Sequence, residues 1–135
     1  MKEKLHKIVE ITDLKDMLNK SGKLYGDRPA YKLKTETAGN YKIITHKEAR
    51  DNINYLGTAF IKMGLKGKRI AVISENRYEW GLSYLAIACG TGIVVPLDKA
   101  LPDNEIESLI ARSNVEAIVF SNKYTDTLKK IKEKV

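Results

Sequence analysis

The sequence predicts an α/β fold, a three-layer parallel sheet with helical crossovers preceded by a short helix and a β-hairpin. Two observations predict it. Three short apolar runs, residues 70–73, 93–97 and 115–120, the last broken only by Glu116, are separated by helical stretches at 77–89 and 103–112. Strands apolar on both faces with helices between them imply a parallel sheet covered by those helices. Right-handed crossovers then make the unit three layers deep. Upstream, two β-rich runs flank a turn, and a capping box opens a long amphipathic helix.

Taken in order, Thr12 before Asp13-Leu14-Lys15-Asp16-Met17-Leu18 predicts a short helix with a Thr N-cap, acidic residues in the first turn and a stop at Gly22. This helix is expected on the outside of the domain. The runs 31–35 and 41–44 are β-rich, and Thr37-Ala38-Gly39-Asn40 between them supplies turn residues, the pattern of a hairpin. Thr45-His46-Lys47-Glu48 follows. In a capping box the Thr hydroxyl and the Glu carboxylate each satisfy a free backbone N–H at a helix start. The helix that begins there presents Ala49, Ile53, Leu56, Phe60 and Met63 on one face and stops at Gly64 with Leu65. Residues 1–28 thus form an N-terminal arm with a short helix, 29–45 the hairpin, and 46–135 the parallel-sheet subdomain.

Two glycine or loop patterns invite a nucleotide and resist it. Ser74-Glu75-Asn76 joins a strand to a helix, the place where many proteins hold a phosphate. A phosphate cradle needs glycines so that backbone N–H groups can converge, and usually a lysine. Here there is no glycine, and a carboxylate stands where the anion would sit; Asn76 with Glu79 reads instead as a capping pair for the helix starting at Arg77. Cys89-Gly90-Thr91-Gly92 lies after a helix and before a strand, the wrong polarity for a phosphate, and reads as a helix stop. The helix between these loops (Leu82, Tyr84, Leu85, Ala86, Ile87, Ala88) is apolar nearly all round. Something besides the sheet must cover it.

Composition narrows the rest. A chain of 135 residues, 43% hydrophobic and 30% charged, is one ordinary domain or a piece of one. The net charge of +7 raises nucleic acid as a partner. The lysines are nevertheless scattered, and the densest stretch, 123–134, carries an apolar stripe of Tyr124, Leu128, Ile131 and Val135. A solvated helix face explains it, and no nucleic acid is expected. Cys89 is the only cysteine, so no internal disulfide forms, and it reads as a small core residue. His6 and His46 have no partner at metal-ligand spacing, and His46 reads as a surface residue of its capping box. Residues 1–10 lack the apolar core of a signal peptide, so a cytoplasmic location is expected, with a peripheral membrane association left open for a parent enzyme. Residues 80–97 contain no charge but are interrupted by Gly90, Thr91, Gly92 and Pro96, so they read as a buried helix and strand rather than a membrane span.

The ordered combination of Asp27-Arg28-Pro29-Ala30, the helix start at Thr45 to Glu48, Met63-Gly64-Leu65-Lys66-Gly67-Lys68-Arg69, Asn76 with Glu79-Trp80, Val95-Pro96-Leu97-Asp98, Leu101-Pro102 and Glu105-Ile106 resembles the N-terminal region of AMP-forming acyl-CoA synthetases. These belong to the acyl-adenylate-forming superfamily, and the strings ENRYEW and VEAIVFS look most like its long-chain fatty acid branch. Thr91-Gly92 and Lys99 depart from the family's usual pattern at structural positions.

The resemblance implies the first subdomain of an adenylating-enzyme N-terminal domain. It implies a parent ligase that joins a fatty acid to ATP with Mg2+ assistance, releases pyrophosphate, and passes the acyl group to coenzyme A. The family's phosphate loop, adenine and metal motif, ribose-binding Asp and C-terminal Lys all lie further along a longer chain. Tyr25-Gly26-Asp27 is not the adenine motif, because it lacks the Thr-Glu pair. No catalytic, cofactor-binding or metal residue is therefore assigned here, and the segment alone is expected to be inactive. Its expected partner is the remainder of its own longer chain; exposed apolar faces could also pair two copies. The rival reading is a stand-alone binding or interaction module using its basic C-terminal helix on nucleic acid.

Overall fold

The structure, a computed structural model, describes residues 7–134. His6 and Val135 lie outside the described residues. The elements run α1 (Leu14–Tyr25), β1 (Pro29–Lys34), β2 (Tyr41–Thr45), α2 (His46–Lys62), β3 (Arg69–Ile73), α3 (Tyr78–Ala86), β4 (Ile93–Pro96), α4 (Asp103–Ser113), β5 (Ala117–Phe120) and α5 (Thr125–Lys134).

The centre is β3. Ile70, Ala71, Val72 and Ile73 are all buried to within 1% of complete exclusion from solvent, because β4 and β5 pair with β3 in parallel on either side and helices cover both faces. Ala71 and Ile73 look toward α4 and α5, packing with Ile106, Ile110, Leu128 and Ile131. Ile70 and Val72 look the other way, onto Ile53 and Phe60 of α2 and onto Ala86 and Ile87. This is the period-two alternation of a strand, with both faces apolar. Each such isoleucine contributes about 2 to 3 kcal/mol by leaving water. The three layers are therefore α2 with α3, the sheet, and α4 with α5.

The capping box forms as the sequence implies: Thr45 Oγ1 accepts from Glu48 N (3.1 Å) and Glu48 Oε2 from Thr45 N (2.8 Å). At the far end of α2, Leu65 N donates to Phe60 O and Gly64 N to Ile61 O. With Gly64 at φ +81°, this is a Schellman stop. Met63 is 70% exposed and not part of the apolar face; buried Gly57 shares that face instead. The hairpin also forms, with Thr35 N and Asn40 O closing the turn.

Three expectations about helix ends are corrected. The cap of α1 is Asp13, whose carboxylate accepts from Asp16 N (2.7 Å), while Thr12 N donates to Asp16. Gly22 does not stop α1, which runs to Tyr25 and turns at Gly26. Gly22 lets α1 lie close to α2, since a Cβ there would meet Arg50 Cδ at 2.9 Å. Nor does Asn76 cap α3: the N-cap is Arg77, whose guanidinium can only donate, and donates to the Glu79 carboxylate, so no side chain accepts from the first helical N–H groups there.

The cover required by the over-apolar helix is α2, which packs along α3. Past Ala86 the helix widens into a π-type turn over Ile87–Thr91. Thr91, buried, directs its hydroxyl to Gly57 O (3.2 Å) and Ala86 O (2.9 Å). The Gly-Thr-Gly string is thus a joint between α2, α3 and β4. Cys89 packs beside it, half-buried, and burial raises its thiol above the ordinary value. His46 is half-buried rather than free on the surface, its ring 5.3 Å from that of Tyr25.

Candidate functional site

In an open parallel sheet, ligands bind beyond the carboxyl ends of the strands where neighbouring strands send their chains to opposite faces. Here one such point lies between β3 and β5. After β3 the chain turns to α3 on one face, and after β5 it turns to α5 on the other. A crevice of about 320 Å³ opens there, between Ser74, Glu75 and Arg77 from the first loop and Ser121, Asn122 and Lys123 from the second, with Trp80 and Phe120 as apolar walls.

Its polar groups are engaged with one another. Ser121 Oγ donates to the Glu75 carboxylate across the two loops. That bond, and then the charges of Lys123 and Arg77, hold the Glu75 carboxyl below its ordinary value. Arg77 grips Glu79 at two points, Nε to Oε2 (2.8 Å) and a second nitrogen to Oε1 (3.1 Å), which lowers the Glu79 carboxyl in turn. Ser74 Oγ donates to Glu75 O. Two carboxylates and two cations therefore balance in one place.

The hairpin leans on the same region. Tyr31 meets Tyr78 edge-on, ring centres 4.8 Å apart, and Asn52 Nδ2 donates to Tyr78 Oη (3.2 Å). The face between Lys32, Lys34 and Glu79 continues the crevice outward.

Chemically the crevice offers little: Ser121 Oγ meets a carboxylate, but one held below its ordinary value and so a weak base for activating a hydroxyl. The loop after β3 has no glycine and presents a carboxylate that is held ionised, a poor seat for a phosphate. Among the described residues no three His, Cys, Asp or Glu side chains converge on a point that could hold a metal ion. The loop after β3 thus does not suit the phosphates of ATP.

The residues that carry the family resemblance serve the fold. Arg28 N donates to Tyr25 O and Arg28 O accepts from His46 N, tying α1 to α2. Asp98 Oδ1 accepts from Ala100 N (2.9 Å) and Lys99 O from Tyr124 Oη (3.0 Å), which fixes the connection from β4 to α4 against the last helix. Tyr25-Gly26-Asp27 is the turn after α1. Sequence reasoning missed the Glu75–Ser121 link, whose partners are 46 residues apart.

Fold and crevice together define a piece of an open α/β domain with its switch point exposed. The chain belongs to the AMP-binding enzyme family, whose model matches residues 18–135. Fatty acyl-CoA synthetase A of Dictyostelium discoideum is 34% identical over 91 residues, 67% of this chain and 14% of that protein. Long-chain-fatty-acid–CoA ligase 5 of Mus musculus is 29% identical over 82 residues, 58% of this chain and 12% of the relative. The aligned stretch thus spans about a seventh of these relatives' lengths.

Among solved structures, a Rhodopseudomonas palustris protein assigned as a long-chain-fatty-acid CoA ligase superposes with a TM-score of 0.79 at 22% identity, over 92% of this chain and 30% of its own. The N-terminal domain of FACL13 from Mycobacterium tuberculosis gives 0.78 at 16% identity, over 90% of this chain and 30% of its own. At these identities the likeness establishes the fold, that of the N-terminal part of adenylating enzymes. No described helix is long and apolar enough to cross a membrane.

Proposed function

We propose that this chain is the N-terminal segment of an ATP-dependent, AMP-forming fatty acid–CoA ligase, one that activates a carboxylate as its acyl-adenylate and transfers the acyl group to coenzyme A. The family match over residues 18–135, with relatives named as fatty acyl-CoA synthetases, carries this reading. Within the complete enzyme, residues 1–28 serve as an arm, 29–45 as a hairpin joining a neighbouring sheet, and 46–135 as an α/β subdomain that supports the site without supplying its reactive groups. ATP, Mg2+ and coenzyme A engage the rest of the polypeptide, which is also the proposed partner of this segment's apolar surface.

The rival module that grips nucleic acid finds little support. The apolar stripe of α5 is spent on the core through Leu128 and Ile131, and Lys134 pairs with Glu107 at 2.9 Å. We place the enzyme in the cytoplasm. The test is to express the complete gene and measure fatty-acid-dependent exchange of pyrophosphate into ATP, then acyl-CoA formation. Both should occur with fatty acids. A folded complete protein that adenylates no carboxylate contradicts the proposal.

A further inference from the structure

We propose that the amino end of the parallel sheet, where exposed aliphatic side chains stand among lysines and arginines, is a docking surface for an anionic lipid bilayer. The inference goes beyond the ligase reading and does not depend on it.

The fold gathers this end from stretches far apart in the chain. Strands β3, β4 and β5 start here, and helices α2 and α4 end here. Backbone bonds tie the loops side by side: Gly67 N donates to Thr91 O, Ile93 N to Lys68 O and Glu116 N to Arg69 O. Helix α1 reaches the same end because it runs antiparallel to α2. Its last residue, Tyr25, meets His46 at the start of α2, and Lys15 near its first shares a wall with Thr58 and Ile61.

Two kinds of side chain crowd this end. Ile11, Leu14, Ile61, Met63 and Ile93 are exposed, Met63 by 70% and Ile93 by 54%. Gly64 and Gly67, both at positive φ, fold the 63–68 loop tightly, so that Leu65 turns into the core and Met63 stays outside. The second kind is cationic. Lys15, Lys62, Lys66, Arg69 and Arg112 have no carboxylate within ion-pair distance among the described residues. The acids at this end are engaged: Asp13 caps α1, and Glu116 pairs with Lys68 at 2.8 Å. At the opposite end, by contrast, Arg77 and Lys123 are balanced by Glu79 and Glu75. The excess positive charge is therefore directional, and docking through it leaves the crevice facing away from the bilayer.

The mixture selects the partner. Apolar and cationic residues alternate: Leu14 stands beside Lys15, Met63 beside Lys62, and Ile93 opposite Arg69. A headgroup layer accepts single apolar side chains at shallow depth while neighbouring cations meet lipid phosphates. A protein partner calls for a continuous apolar centre depleted of charge, which this alternation denies. A nucleic-acid footprint calls for aromatic rings on which bases stack, and the apolar side chains gathered here carry none.

Flotation of the complete protein with lipid vesicles tests this, read as the fraction of protein that rises with the lipid. The vesicles are phosphatidylcholine alone, or phosphatidylcholine with about 30% phosphatidylserine. Expected is partition onto the phosphatidylserine vesicles at least about 10-fold above that onto phosphatidylcholine, weakening as NaCl rises from about 0.1 to about 0.5 M. Lys62→Gln with Lys66→Gln should lower partition about 25-fold, at about fivefold per lysine, and Met63→Ser should lower it about fivefold. Lys32→Gln with Lys34→Gln removes the same charge from the hairpin, beside Glu75 and Glu79, and should leave partition within about twofold of the parent. All five side chains are exposed, and a thermal scan checks that each variant is folded. No partition onto phosphatidylserine vesicles, equal partition onto both vesicle types, or equal loss from the two lysine pairs overturns the inference. Salt-sensitive binding to duplex DNA that depends on Lys62 and Lys66, with no vesicle binding, assigns the surface to nucleic acid and overturns it as well. Adenylation assayed on the same protein keeps the two readings apart. An active enzyme that ignores vesicles sinks the docking surface alone; a vesicle-bound protein that adenylates nothing sinks the ligase reading alone.

Discussion

Replacing Gly92 by Ala places a methyl group in overlap with Lys68 O, 3.1 Å from Lys68 N and 3.2 Å from Lys68 C. All three neighbours are backbone, so no side chain can swing aside. The φ of Gly92, −172°, suits any residue; the obstacle is proximity alone. Relief requires β4 to withdraw from the turn before β3. That motion strains or breaks Ile93 N to Lys68 O (2.9 Å) and Gly67 N to Thr91 O (2.7 Å). Two backbone hydrogen bonds at about 1 kcal/mol each, with about 1 to 3 kcal/mol for overpacking, give a loss of about 3 to 5 kcal/mol. Against a total stability of order 10 kcal/mol, that is a large share. Urea denaturation reads it directly: at a slope of about 1.5 kcal/mol per molar the midpoint falls by about 2 M or more. Gly39→Ala is the control. Gly39 has a positive φ of +83° but open space around it, so only left-handed backbone strain of about 1 kcal/mol is expected. A Gly92→Ala midpoint within about 0.5 M of the parent, with unchanged slope, refutes the reasoning.

Thr91→Val keeps the shape and removes the hydroxyl that serves Gly57 O and Ala86 O, so thermal unfolding should begin about 3 to 8 °C lower; an unchanged Tm shows the joint is held by packing alone. Glu48, whose carboxyl is lowered chiefly by the bond from Thr45 N, has an ordinary value of 4.5. The unfolded chain therefore takes up the proton first. Its contribution is complete above that value and is lost as pH falls through the lowered one. Between pH 6 and pH 3 the Tm of Glu48→Gln should fall less steeply than that of the parent; equal slopes contradict the capping box as an acid-sensitive element. The Arg77–Glu79 pair is about half exposed on both sides, so Arg77→Ala should leave Tm unchanged. A clear drop in a thermal scan would show that the crevice charges hold the fold.

The sheet was legible because its signal is local and repeated. Residues 70–73 are apolar without a break, β-branched apart from Ala71 and too short for a helix, which suits a strand covered on both faces, and that is where β3 lies. The capping box was legible for the same reason, since both of its partners fall within four residues. Caps with competing candidates were not. Thr12 and Asp13 are both good N-caps, and the choice fell to Asp13 through the position of Asp16. Asn76 lost its role because the helix begins one residue later than expected, with Arg77 at the N-cap position. Gly22 carries the letter of a helix stop and serves a close helix crossing, which depends on Arg50 far along the chain. The crevice was half legible. Its failure as a phosphate seat follows from the composition of the loop, whereas the Ser121 bond to Glu75 needs two loops brought together by the sheet.

The central claim is that this segment is framework and that the reactive groups of the ligase stand elsewhere in the polypeptide. The most direct measurement is exchange of labelled pyrophosphate into ATP by the purified, folded 135-residue chain, supplied with Mg2+ and fatty acids of several lengths. The account predicts no exchange above the protein-free background. Exchange that requires both the carboxylate and this chain would contradict it.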